Sequence, residues 1–340
     1  MSQFNCKATS EQDILLLGNI YVVSRALHVV AEQKIADLFE SDQPKSVEEL
    51  IKQCPMSSIA LKKLLRTLCP FGIFKENDDG TFSLEKVGQT LKSDHPSCMR
   101  DLLFCESCRW NSFGQMAQSM QTGKTGFFEL YKEEYFDHIA KFPHLQSGFD
   151  SHMKAISAKE DPIIAEHLPL ENKKKIIDIG GGKGGLIKAI LEKHPDIIGG
   201  VFELPGVAKQ ELESLSRQYR QRLEIFSGSF FNAFPFKSDA LLLKRVLHDW
   251  DDASCVQILS HCREALEDSS SEVYVVESVL EGKEDPPLLR MFDVLLLTVF
   301  GGVERNVEEY VSLFKKAGLR LKNTIFTHAG MSIMVGEKID

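Results

Sequence analysis

KIIDIGGGKGGLIKAILEKH, residues 175–194, decides how the chain is read: an apolar run meets an acid and a glycine cluster, then passes into an amphipathic segment. Strand, glycine turn and helix is the reading this pattern requires. The glycines let the backbone turn sharply and let a ligand approach without interference from Cβ atoms. The bare amides at the start of the following helix complement a polar or anionic group. Outward from this turn, GGVFEL, RLEIFSG, DALLLKRV and EVYVVES read as further strands, with amphipathic segments between them. Such alternation predicts a parallel sheet with helices on both faces. The end differs, because TIFTHAGMSIMVGEK reads as two strands joined by a tight turn at Ala329-Gly330.

Two spacings coexist in the glycine turn. Gly180, Gly182 and Gly185 satisfy the dinucleotide fingerprint G-x-G-x-x-G, whereas Gly180, Gly182 and Gly184 satisfy G-x-G-x-G, the spacing of S-adenosylmethionine sites. Glu203, about twenty positions on, fits a ribose-diol contact in either case. The turn alone therefore points to an adenosine-type cofactor without naming it. Asp178 before the glycines, and LLLKRVLHDWDD further on, favour the methyltransferase spacing. In an open α/β sheet, ligands sit beyond the carboxyl ends of the strands. His248, beside Asp249 and Trp250 after the fourth strand, is thereby placed where chemistry happens, although an isolated histidine is by default structural.

The first hundred residues read mostly as helices. Ile14–Leu27 and the segment to Leu38 place apolar residues at three- and four-residue spacing. Ser46 and Glu49 form a capping box, Leu61, Leu64, Leu65 and Leu68 make one apolar stripe, and Asp79-Gly80 marks a hairpin. Helix, turn, helix, hairpin outlines a winged helix. Lys62, Lys63 and Arg66 are too few to argue for DNA, and the apolar N-terminal helices are longer than so small a unit can satisfy. Residues 101–165 are helical and aromatic: Phe104, Trp110, Phe113, Phe127, Phe128, Tyr131, Tyr135, Phe136, Phe142 and Phe149 form either core or the wall of a pocket for a flat molecule.

Composition bounds the rest. A net charge of −9 argues against a nucleic-acid partner. The N-terminus lacks a signal-peptide profile, and no stretch is expected to reach the roughly 18 apolar residues of a membrane span. Of eight cysteines, only Cys105 and Cys108 form a CxxC pair. No second pair stands at metal spacing, so ordinary thiols of a reducing cytoplasm and no metal are expected.

Taken together, DIGGGKGG, FELPGV, SGSFF, LKRVLHDWDD, VVES and GGVERNVEEYVSLFKKAGL make the chain resemble, over nearly its whole length, the plant-type O-methyltransferase family. That family includes caffeate, flavonoid and acetylserotonin O-methyltransferases and bacterial antibiotic-tailoring relatives. The resemblance implies a class I methyltransferase fold, a doubly wound sheet of seven strands with the last antiparallel, behind an N-terminal helical winged-helix dimerisation domain. Residues 1–100 would form that domain, 101–165 a connecting and substrate-wall segment, and 166–340 the S-adenosylmethionine-binding domain. It implies S-adenosylmethionine as cofactor, held by Asp178, Gly180, Gly182, Glu203, Ser229, Phe230, Lys244 and Trp250. His248 would be the general base, flanked and oriented by Glu277 and Glu304. Phe149, Met153 and the Leu295–Phe300 segment, Val299 and Phe300 among them, would wall a pocket for a small aromatic hydroxyl substrate. A cytoplasmic homodimer with neither nucleic-acid nor membrane partner completes the expectation.

Two positions depart from the family. Glu203 replaces the usual aspartate, one methylene longer. Gly228-Ser229-Phe230-Phe231 stands where Gly-Asp-Phe/Met-Phe is usual, which removes a charged acceptor at the adenine edge and predicts weaker cofactor affinity. That loss also admits a family member doing non-methylating chemistry, such as hydroxylation, decarboxylation or a pericyclic step. A winged-helix regulator with a vestigial enzyme half and a nicotinamide oxidoreductase are the more distant readings.

Overall fold

The structure, a computed structural model, describes residues 7–40, 43–97, 99–103, 107–207, 209–282 and 285–339. Phe104 and Cys105 lie outside the described residues. The chain divides into two compact units, Met1–Ser107 with Phe142–Ala155, and Cys108–Lys141 with Ile156–Asp340.

In the first unit, helix α1 (Glu11–Glu32) starts at a capping box between Ser10 and Asp13. The Ser46–Glu49 box is also present and opens a single turn, Val47–Leu50. Helix α2 (Ser58–Leu68) buries Leu61, Leu65 and Leu68 in a core with Val30, Ile35, Phe39, Phe74 and Phe82. Strands β1 (Phe74–Glu76) and β2 (Phe82–Leu84) pair antiparallel, which completes the winged-helix outline. One expectation is corrected here. By length and apolar composition α1 is long enough to cross a membrane. Its Ile14, Leu15, Leu16, Leu17, Tyr21 and Val22 are exposed within this chain.

The second unit carries a seven-stranded sheet: β3 (Lys175–Ile179), β4 (Ile198–Glu203), β5 (Leu223–Ser227), β6 (Ala240–Lys244), β7 (Glu272–Glu277), β8 (Leu319–Phe326) and β9 (Ser332–Lys338). The order is β5-β4-β3-β6-β7-β9-β8, and β9 runs antiparallel to both of its neighbours. Strand β8 begins five residues earlier than the sequence pattern shows, because a register shift between Leu321 and Asn323 breaks its alternation.

The strands are apolar on both faces, as a covered parallel sheet demands. Ile177, Ile179, Leu241, Leu243, Val273 and Val275 pack with Cys255, Ile258, Leu259, Leu313 and Phe314. Ile176, Ala240, Leu242, Tyr274 and Val276 share the other core with Ile164, Leu186, Ile187 and Ile190. These partners come from α3 (Pro143–His167), α4 (Gly185–Lys193), α5 (Asp252–Ala265) and, beyond α6 (Pro287–Leu295), α7 (Val307–Lys316). Strand order reverses between β3 and β6. The crevice beyond their carboxyl ends is where such sheets bind ligands.

Candidate active site

The glycine turn leaves β3 at that crevice. Gly180, Gly182 and Gly184 all have positive φ, at 71°, 53° and 75°, whereas Gly185 does not. Of the two spacings legible in the sequence, G-x-G-x-G is thus the one with a conformational requirement. Gly185 is demanded by packing instead, since a Cβ there would overlap the Asp161 carboxylate. Glu203, at the end of β4, accepts from the amides of Gly182 (3.0 Å) and Leu204 (2.7 Å), so its carboxylate is fixed beside the turn. Among the described residues, chain neighbours aside, no atom comes within 4 Å of where a Gly182 Cβ would stand, so the space on that side of the turn, next to the Glu203 carboxylate, is open. Asp178 is buried beneath Gly181. Burial, reinforced by Asp161 and Glu203 and opposed by Lys244, pushes its carboxyl up to about 8.

After β5, Ser229 is half-buried and its Oγ accepts from Phe231 at 3.3 Å. Phe230 and Phe231 stand edge-on to Trp250, at 5.8 and 4.8 Å between ring centres. Lys244, at the end of β6, donates to Asp161 (2.6 Å) and Ser157 (2.9 Å), acids and hydroxyl of α3.

His248 lies four residues beyond Lys244 and is buried. Its Nδ1 faces two carboxylates, Glu304 Oε1 at 3.3 Å and Glu277 Oε2 at 3.5 Å. Its Nε2 has Asp249 Oδ1 at 3.6 Å. Burial disfavours the charged imidazole, but Glu277, Asp249 and Glu304 outweigh it and push His248 up to about 9. Glu277 is pushed up to about 7 by burial and by repulsion from Glu304 and Asp249, with His248 and Arg245 holding it down. Its Oε1 also accepts from the successive amides of Val246 (3.0 Å), Leu247 (2.8 Å) and His248 (3.4 Å). One carboxylate therefore holds the backbone of the histidine with one oxygen and faces its ring with the other.

The Gly302–Arg305 loop holds the same turn from the other side. A Cβ on Gly302 would overlap the His248 carbonyl, to which Val303 donates at 2.8 Å. Arg305, fully buried, donates to the carbonyls of Leu247 (3.1 Å) and Trp250 (2.8 Å) and to Asp252. Asp251 caps α5 through the Ser254 amide and so ends the turn. The sequence reading singled out Glu304 in this loop and missed Arg305, as it missed Asp161, Glu160 and Arg245. A buried arginine is indistinguishable from a surface one in a single sequence.

Of the expected wall, Leu295 and Phe300 are half-buried, and Phe300 meets Tyr135 at 4.7 Å and Phe136 at 5.7 Å. Val299 is fully buried within a wide helical turn, Leu296–Phe300. Phe149 and Met153 are half-buried on the part of α3 that belongs to the first unit.

Comparison with known proteins decides the family. An O-methyltransferase domain matches residues 113–320, and an O-methyltransferase dimerisation domain matches residues 15–94. The chain belongs to the O-methyltransferase family. It is 30% identical to a phenazine O-methyltransferase from Lysobacter antibioticus, over 94% of each chain. It is 31% identical to a 2,7-dihydroxy-5-methyl-1-naphthoate 7-O-methyltransferase from Streptomyces carzinostaticus, over 87% of this chain and 89% of that one. A solved O-methyltransferase from neocarzinostatin biosynthesis, in complex with S-adenosyl-L-homocysteine and 1,4-dihydroxy-2-naphthoic acid, superposes with a TM-score of 0.82 at 29% identity, covering 93% of this chain and 96% of that one. This O-methyltransferase is S-adenosylmethionine-dependent. The open space at Gly182, beside a carboxylate already fixed by two amides, accommodates such a cofactor.

Proposed function

We propose that this O-methyltransferase methylates a phenolic hydroxyl of a small aromatic molecule, with Nε2 of His248 as general base. The observation carrying this reading is the placement of two buried carboxylates on Nδ1 of one buried histidine. They favour the tautomer with its proton on Nδ1, which leaves Nε2 as the basic nitrogen. Relatives that act on a phenazine and a dihydroxynaphthoate support an aromatic acceptor.

Bound in the crevice, S-adenosylmethionine supplies an electrophilic methyl group. Glu203 would take the ribose hydroxyls, Asp178, Gly180 and Gly182 would line the methionine end, and Ser229 and Phe230 would border the adenine, with Trp250 behind them. Lys244 would act through its pair with Asp161. A phenol has a pKa near 10 if it resembles tyrosine, so it must lose its proton as its oxygen bonds to carbon. His248 takes that proton, and Glu277 and Glu304 balance the imidazolium that results. Leu295 and Phe300 would wall the acceptor, with Val299 supporting them. Phe149 and Met153 are given the same role by family resemblance.

The exposed apolar N-terminal half of α1, within the matched dimerisation domain, would pack against a second copy in a cytoplasmic homodimer. No nucleic-acid or membrane partner is proposed. Screening hydroxylated phenazines and naphthoates with methyl-labelled S-adenosylmethionine, and weighing the products, tests the reaction. His248→Ala should lower turnover by roughly 10²–10⁴-fold and leave S-adenosylhomocysteine affinity nearly unchanged. Equal loss of both would sink the base assignment.

A further inference from the structure

Two consecutive cations at the end of β6 face two consecutive acids on α3. Lys244 takes Asp161, and Arg245 takes Glu160 with two bonds, Nε to Oε2 at 3.2 Å and Nη2 to Oε1 at 2.6 Å. Lys244 also stands 3.6 Å from Glu160. Arg245 has a φ of 54°, a conformation that L side chains seldom adopt. The Glu160 fork therefore secures a kink that turns the chain from β6 into the Leu247–Trp250 turn. On its other side the guanidinium carbon lies 6.0 Å from the centre of the Phe292 ring, and that ring is 6.3 Å from the ring of His248.

The charges around His248 make this pair matter. Glu277 reaches it from β7, Glu304 from the loop before α7, and Asp249 from its own turn. Arg305 binds the turn's carbonyls, and Asp293 of α6 accepts from the Glu304 amide. Burial raises Cys255 of α5 and Tyr310 of α7, which keeps both neutral. The Oε2 atoms of Glu277 and Glu304 are buried without a hydrogen-bond donor among the described residues. Buried carboxylates with an unsatisfied oxygen each respond to nearby cations. Besides His248 itself, the Arg245 guanidinium favours the ionised forms of Glu277 and Asp249.

We propose that the Arg245–Glu160 pair is a positioning device for the His248 base. Arg245 holds Phe292 beside the imidazole and balances the carboxylates around it, while Glu160 sets how much of that charge they feel. The proposal deepens the base assignment and rests on it.

Its test is the titration of His248 in the full-length protein, labelled with ¹³C-histidine and assigned by the signal lost in His248→Gln. Glu160→Gln leaves Arg245 uncompensated, so the protons of the cluster leave more easily and the His248 midpoint falls. Arg245→Met removes the cation and the midpoint rises. Each shift should be about half a pH unit or more. The double variant should return towards the wild-type midpoint, and Arg245→Lys should stay near it. A purely structural pair would lower thermal stability without moving the two midpoints in opposite directions. Midpoints unmoved, or moved together, overturn the proposal and leave the base assignment standing. A wild-type His248 with no protonation change between pH 5 and 10 overturns both. Should Arg245→Met fail to fold, the sign of the Glu160→Gln shift decides.

Discussion

Glu277 has two duties that substitution can separate. Its Oε1 gathers the amides of Val246, Leu247 and His248, and its Oε2 faces Nδ1 of His248 at 3.5 Å. Glu277→Ala strands all three amides inside the protein. A buried donor left unsatisfied costs about 1–3 kcal/mol. Counting the two short bonds fully and the 3.4 Å bond as weak gives a loss of roughly 3–5 kcal/mol. For a domain of this size that lowers the melting temperature by roughly 10 °C. Glu277→Gln keeps a carbonyl oxygen for the amides but loses the charge beside the imidazole. It should therefore lose less than about 1.5 kcal/mol while turnover falls by roughly 10²-fold. Urea unfolding of both variants, with turnover measured on the acceptor identified by screening, reads the two effects separately. Equal destabilisation by Gln and Ala would refute the idea that Oε1 acts as the acceptor for the turn.

Three further outcomes are expected. His248 is held up at about 9 and must be neutral to act as a base, so the acceptor kcat/KM should rise with pH and level off above about 9; a profile flat from pH 6.5 to 9 would contradict this. Ser229→Asp restores a charged acceptor and should tighten S-adenosylhomocysteine binding by about 3- to 10-fold, and a calorimetric titration showing no gain would remove the suggested weakness of Ser229. Sedimentation at micromolar concentration should show a dimer, and a monomer would leave the exposed apolar half of α1 without its partner.

What could be read from the chain alone was what neighbouring residues decide among themselves. The glycine turn, the capping box at Ser46 and Glu49 and the alternation of strands and helices all depend on residues within about one turn of each other. His248 was legible because a strand end in an open α/β sheet has a fixed meaning. Register at β8 was not, because the shift at Leu321 answers to its pairing with β9. The apolar length of α1 was underestimated because its polar residues are spread among apolar ones; the fold leaves the apolar N-terminal half of the helix exposed within this chain.

The choice between the two glycine spacings needed backbone angles. Gly184 has positive φ and Gly185 does not, while Gly185 is required by Asp161, which lies far away in sequence. The surroundings of His248 needed the fold even more. Its partners stand 29 and 56 residues away, and the Arg245–Glu160 pair spans 85. The sequence by itself determined the class of sheet and the class of cofactor, and it proposed the glycine turn and His248 as the places to look for binding and chemistry. Only the tertiary structure decided which carboxylates face each nitrogen of that histidine, because electrostatic interaction depends on distance and burial rather than on order along the chain.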